Sequence, residues 1–264
     1  MSEASATPAQ QITLEQYEQL NPSVPVRVGD KTIIYNTPNR GAVWRVQTLF
    51  EKEPDTIAWL NGFAAGSVLY DVGANVGMYS IYAAAVRGVR VFAFEPESQN
   101  YALLNKNIFT NQLSGSVQAY PVALSDATSF DRLYLSQFMP GGSCHNFGES
   151  LDFDGKPFTA GFAQGCFAIP LDELVDAHGL PLPDHIKIDV DGIEHKVIAG
   201  ARRTLQRPEV KSVLIEINTN RDDHRETVDL MGRLGFRWSQ EQVEQAQRKD
   251  GAFKGVGNYI FLRG

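Results

Sequence analysis

Five carboxylates stand at or just past the ends of apolar runs. Asp71 follows Val68-Leu69-Tyr70, Glu95 follows Val91-Phe92-Ala93-Phe94, Asp189 and Asp191 follow Ile186-Lys187-Ile188, and Glu216 follows Val213-Leu214-Ile215. In an open α/β sheet ligands bind at the carboxyl ends of the strands, so runs of this kind deliver their acids to the mouth of one site. There a carboxylate can accept hydrogen bonds from hydroxyls, attract a cation, take a proton, or share a hard divalent ion.

The first of these acids opens the most informative segment, Asp71-Val72-Gly73-Ala74-Asn75-Val76-Gly77. Gly73 and Gly77 let the backbone approach a ligand closely. The segment Met78 to Val86 reads as a helix, and Val89 to Phe94 as a second strand tipped by Glu95, whose carboxylate can take both hydroxyls of a ribose. Strand, Gly-rich turn, helix, strand and acid make one half of a doubly wound nucleotide site. An adenosine-like ligand fits it. A pyrophosphate fits less well, because Asn75 replaces the close-approach glycine of the dinucleotide turn and Asp71 adds a negative charge. That charge would attract an amine or a sulfonium, which favours S-adenosylmethionine over NAD.

Asp189 and Asp191 lie two residues apart, on one face of an extended strand. Their repulsion could raise one pKa toward that of a base, or the pair could join Glu216 around magnesium or calcium. Carboxylates of adjacent strands also anchor loops by hydrogen bonding alone, and a metal is not the favoured reading. Lys187 is spaced to pair with Asp189. Glu194 falls in the first turn of the helix after Gly192, where it meets the positive end of the dipole. His195 is next to it, His224 lies in the polar run after Glu216, and His145 lies in the loop Gly141 to Asn146. The base candidates are Asp191, Asp189 and His195; His145, Glu216 and His224 are candidates to meet an acceptor.

The elements that must position these groups form an α/β pattern. Residues 1–11 read as a disordered tail. Residues 12–60 form an N-terminal extension, with a hairpin across Gly29-Asp30 and a helix at Glu53 to Leu60. Residues 61–264 carry the site. Pro96 to Phe109 is a helix with Tyr101, Leu104 and Ile108 on one face, and Ser116 to Val122 is an edge strand, consistent with Pro121 near its end. An insertion at 129–168 with strands at Leu133-Leu135 and Gly165-Ile169 reads as a mobile cover, and its phenylalanines, from Phe138 to Phe167, could line an acceptor pocket. Glu226 to Leu234 is a helix, Glu241 to Asp250 a charged surface segment, and Gly257 to Leu262 an antiparallel strand that closes the sheet.

These segments, together with Val122-Ala123-Leu124-Ser125-Asp126 and Ile169-Pro170-Leu171-Asp172-Glu173-Leu174, resemble the successive signatures of FkbM-type S-adenosylmethionine-dependent methyltransferases. The resemblance runs from about Arg45 to the C-terminus and is most specific at Lys187-Ile188-Asp189-Val190-Asp191-Gly192-Ile193-Glu194, where Asp191 stands in place of the family's frequent Glu or Gln. It implies a class I (Rossmann-like) doubly wound seven-stranded sheet and methyl transfer, usually to oxygen on a small molecule or sugar. It also implies that Ser125 and Asp126 touch the adenine. The cofactor-contacting set is then Asp71, Gly73, Asn75, Gly77, Tyr79, Glu95, Ser125, Asp126 and Asp189.

At 264 residues and 43% apolar content the chain can bury a sizeable core as one enzyme domain. The net charge of −7, from 24 basic and 31 acidic residues, provides no basic footprint for nucleic acid or an anionic membrane. No segment resembles a membrane span or a secretory signal, and two cysteines are too few for a disulfide framework, so a reduced, cytoplasmic setting is expected. Composition says nothing of oligomeric state. A nicotinamide-dependent oxidoreductase and a catalytically idle cofactor-binding protein are the alternatives.

Overall fold

The computed structural model describes residues 12–264, so the expected tail at 1–11 lies outside the described residues. Seven strands form the central sheet, in the order Phe236–Arg237, Val256–Arg263, Ser212–Asn218, His185–Ile188, Val68–Val72, Arg90–Phe94, Val117–Tyr120. Val256–Arg263 runs antiparallel between its two neighbours, and the five strands from Ser212–Asn218 to Val117–Tyr120 are parallel. This is the doubly wound sheet expected, with Val117–Tyr120 at its edge.

Strands buried on both faces read as continuous apolar runs, and every residue of Val68–Val72 is buried. Alternate residues then feed two different cores. Leu69 and Val91 join Ile81 and Leu104 on one face, while Tyr70 and Phe92 join Ile186 and Val213 on the other. Helix Ser98–Thr110 buries Leu103, Leu104 and Ile108 together with Asn100 and Asn107, and leaves Tyr101 only half-buried. The two asparagines belong inside because they hydrogen-bond loops: Asn107 Oδ1 accepts from the Asn36 amide at 2.8 Å, and Asn100 holds a glycine loop described below.

The N-terminal hairpin pairs Ser23–Val28 with Lys31–Asn36 and buries Ile33 and Tyr35 in the first core. Within the N-terminal extension two helices were not foreseen, Leu14–Gln19, closed by a Thr13–Gln16 capping box, and Arg40–Gln47, whose Asn39 side chain accepts the Ala42 amide at 2.8 Å; Gln240–Ala246, read as a charged surface segment, is also a helix. The insertion forms a small second sheet with the strand just before it, ordered Ala123–Leu124, Phe162–Ile169, Ser129–Leu135, Asn146–Phe147. No described helix is long and apolar enough to cross a membrane.

Candidate active site

A cavity of about 420 Å³ opens at the carboxyl ends of the parallel strands, within the range of small-molecule sites. One end is apolar, walled by Val122, Leu124, Leu133, Phe147 and Ile193, and Glu95 stands beside it. The other end holds Asp189, Asp191 and Glu216, with Trp44, Arg248 and Phe253 at its rim.

The glycine turn sets the floor. Gly73 has φ +78°, and a Cβ there would lie 1.9 Å from the Asp189 carbonyl oxygen, so only glycine lets these two strand ends meet. Asn75 donates its amide to Glu95 Oε2 at 2.7 Å, and the Glu97 amide donates to Glu95 Oε1 at 2.9 Å. Burial pushes Glu95 up to about 7 despite those two donors.

A glycine loop covers the turn and is held from three sides. Asn75 Nδ2 and Asn100 Nδ2 both donate to the Gly142 carbonyl, at 2.7 and 3.1 Å, and Arg45 Nε donates to the Gly141 carbonyl at 2.9 Å. Further along the loop the Cys144 amide donates to Asp191 Oδ2 at 2.7 Å. His145 lines the cavity, and burial followed by the Arg45 charge lowers its pKa to about 4, so its ring is neutral.

The acids are brought together, but not as an extended strand would do it. The strand ends at Ile188, and Asp191 adopts φ +59°, so the alternation expected to put Asp189 and Asp191 on one face does not operate. A turn does the work instead, and one carboxylate oxygen from each of Asp189, Asp191 and Glu216 falls within 4.8 Å of the others. Their environments then diverge. Burial would raise Asp189, but Lys187 Nζ lies 2.9 Å from its Oδ2 and holds it at about 2. Asp191 has no such cation, and burial followed by the Asp189 charge pushes it up to about 7. Burial and the Asp189 charge raise Glu216 too, against Arg248 Nη2 at 3.4 Å. Glu53, which sequence reading missed, accepts the Tyr79 hydroxyl at 2.9 Å and belongs to the same buried group of charges.

Several expected site residues do not line the main cavity. Asp71 is buried rather than at the cavity wall: it accepts the Ser80 hydroxyl at 2.6 Å and sits 4.0 Å from Lys187. The charge offered to a cationic ligand is therefore that of Asp189. Gly77 caps the helix Met78–Arg87 and packs against Leu104, and Tyr79 faces a side pocket of about 50 Å³ instead of the main cavity. Ser125 and Asp126 do not line the cavity; the wall there is Val122, Ala123 and Leu124, and Asp126 is exposed. His195 and His224 also lie outside it, since His195 Nδ1 turns to Asp223 at 3.4 Å and His224 is buried against Glu194. Of the insertion's phenylalanines only Phe147 reaches the wall; Phe138 and Phe162 pack on each other at 4.9 Å. Arg248, read as part of a charged surface segment, instead reaches Glu216.

Residues 71–238 match the family described as the methyltransferase FkbM domain. The chain belongs to that family. Similar proteins include the hexuronic acid methyltransferase AglP of Haloferax volcanii, 27% identical over 68% of this chain and 68% of its own. Another is the 31-O-demethyl-FK506 methyltransferase FkbM of Streptomyces tacrolimicus, 27% identical over 67% of this chain and 75% of its own. Among solved structures, magnesium protoporphyrin IX methyltransferase of Synechocystis aligns over 86% of each chain at 11% identity, with a TM-score of 0.48. Membership sets the nicotinamide alternative aside, and the cofactor of this FkbM-type methyltransferase is S-adenosylmethionine. The residues present fit it: an apolar slot suits adenine, the buried Glu95 carboxylate suits the ribose, and the ionised Asp189 suits a cation.

Proposed function

We propose that this protein methylates a hydroxyl of a small molecule or sugar, with Asp191 as the base and Asp189 as a fixed negative charge. The observation that carries this reading is the split between two neighbouring acids, one held ionised by Lys187 and one raised to about 7 at the same end of the cavity. Acids whose environments push their pKa values apart divide the roles of acid, base and electrostatic partner between them. S-adenosylmethionine supplies an already activated methyl group. What the chain must add is orientation of the acceptor oxygen, for which up to about 7 to 11 kcal/mol is available, and removal of its proton. The names of the two relatives, a hexuronic acid methyltransferase and a 31-O-demethyl-FK506 methyltransferase, support a hydroxylated acceptor. Trp44, half exposed at the rim, and Phe253 offer apolar faces for a ring. Lys187 and Arg248 already balance two of the three acids, so the reading needs no metal.

Purified protein incubated with methyl-labelled S-adenosylmethionine and a cell extract should place the label on oxygen of a small molecule, read by mass spectrometry. Label on nitrogen only, or on nucleic acid, would overturn the proposal. For the cofactor end, Glu95→Ala should weaken S-adenosylmethionine binding by about 1.5 to 3 kcal/mol, the range for hydrogen bonds to a charged acceptor. Calorimetry that finds equal affinity in the variant refutes the ribose role of Glu95.

The loop Pro140 to His145 is the proposed cover of the bound ligands. It is tied to Asn75, Asn100, Arg45 and Asp191, and opening it would break those bonds. Hydrogen exchange there should slow when cofactor and acceptor are both bound. Equal exchange in free and fully bound protein would remove the cover.

A further inference from the structure

The turn that carries the acids has an unusual shape. Asp191 at φ +59° lies in the left-handed region, which costs a non-glycine residue about 1 to 3 kcal/mol and persists only when its surroundings fix it, and Gly192 at φ +123° lies where glycine alone goes readily. Space is also short, since a Cβ on Gly192 would lie 3.0 Å from Arg221 Nη1 and 3.3 Å from the Phe153 Cα. Two amides of this turn flank Asp191, and both donate to one oxygen: Val190 N–H to Glu194 Oε1 at 3.1 Å, and Gly192 N–H to the same atom at 3.2 Å.

Glu194 is buried, and its second oxygen faces His224 Nε2 at 3.2 Å. Neither of these two atoms has a hydrogen-bond partner among the described residues, so they meet as a close buried contact and not as an aligned hydrogen bond. The far side of the imidazole settles its tautomer. His224 Nδ1 accepts the Asn218 amide at 3.0 Å, so the ring proton sits on Nε2, the nitrogen nearest the carboxylate. The same tautomer speaks against a metal held by His195, Asp223 and His224, although those groups lie close enough, because Nε2 has no free lone pair. Asn218 itself ties outward, donating its side chain to the Phe153 carbonyl at 3.1 Å and to Asp154 Oδ1 at 2.8 Å. Phe153 in turn stacks on Phe253 at the cavity rim, with centroids 4.3 Å apart.

We propose that Glu194 and His224 are a buried positioning pair that holds the Asp189–Gly192 turn in its reactive shape, with Asn218 connecting it to the insertion. The pair touches no substrate. It rests on the reading of Asp191 as base, because the atom it places is the Asp191 carboxylate. A displacement of about 1 Å of a reacting group can cost on the order of 10²-fold in rate.

Two substitutions divide the imidazole's functions. Asn at 224 keeps an acceptor near the Nδ1 position but removes the N–H that lies against Glu194, whereas Gln keeps an N–H near the Nε2 position. His224→Asn should speed amide exchange of Val190 and Gly192 by about tenfold or more, since Glu194, which accepts both amides, loses the buried contact that holds its second oxygen. It should also lower methyl transfer from labelled S-adenosylmethionine to a fixed batch of extract by ~10 to 10²-fold, with KM for the cofactor within about twofold of wild type. His224→Gln should recover both exchange protection and transfer to within about threefold. Wild-type exchange in His224→Asn, or equal impairment in both variants, overturns the pair. If His224→Asn does not fold, Glu194→Gln decides: its amide group meets the Nε2 proton donor to donor, so unchanged exchange at Val190 and Gly192 overturns the proposal equally. The exchange arm needs no turnover, so it stands apart from the assignment of the base, which fails separately if Asp191→Asn still transfers methyl groups.

Discussion

Asp191→Asn should lower kcat by ~10² to 10⁴-fold while leaving S-adenosylmethionine affinity within about twofold, because an amide keeps the carboxylate's shape but cannot take the acceptor's proton. The wild-type pH profile should carry the same signature. Burial and the Asp189 charge place the Asp191 pKa at about 7, and only the ionised form is a base. Below that pH the group is protonated, so log kcat should fall with a slope near one per pH unit, and above it the rate should level off. Asp189, held at about 2, stays ionised across that range and contributes no limb there. Added chelator should leave the profile where it is. Near wild-type turnover in Asp191→Asn, with a flat profile between about pH 5 and 8, would leave orientation alone as the source of the rate.

The sequence made the sheet legible because four of the five parallel strands are largely apolar runs that lead into an acid, and because the glycine turn falls where strand meets helix. Placing the acids was a different matter. Their convergence depends on a left-handed Asp191, which strand alternation cannot foresee, and on Lys187, whose charge decides which acid remains ionised. Asp71 illustrates the same limit: sequence places it beside the glycine turn, but the buried Lys187 and Ser80 absorb its charge. Residues reaching in from afar were the least visible. Arg45 and Glu53 belong to the N-terminal extension and Arg248 to a polar segment, and no local pattern ties any of them to the acids. One signal for the helix that carries Arg45 was present: Asn39 is a good N-cap, and Ala42, Val46 and Leu49 follow at helical spacing.

Lys187→Met should destabilise the protein by about 3 to 5 kcal/mol at pH 8, the range for removing one partner of a buried charge pair. Lys187 is 2% exposed, with Asp189 at 2.9 Å, Asp71 at 4.0 Å and the Tyr79 ring centroid at 5.3 Å. Burial disfavours its charge, but Asp189, Asp71 and Glu53 outweigh that and raise its pKa. The sign of the pH dependence separates a charge effect from lost packing. In the wild type Asp189 titrates at about 2, below the ordinary carboxylate value of about 3.9, so it stabilises the fold above about pH 4 and that gain is lost as the pH falls toward 2. Without Lys187 burial dominates and the Asp189 pKa moves above its unfolded value. Asp189 then costs stability at high pH and is relieved by protonation as the pH falls. Denaturant midpoints should therefore show a deficit in Lys187→Met that shrinks between pH 8 and pH 5, and Lys187→Met/Asp189→Asn should recover part of it at pH 8. A deficit that is the same at both pH values and unchanged in the double variant would mean that Lys187 acts through its methylenes, and the fixed charge assigned to Asp189 would lose its physical basis.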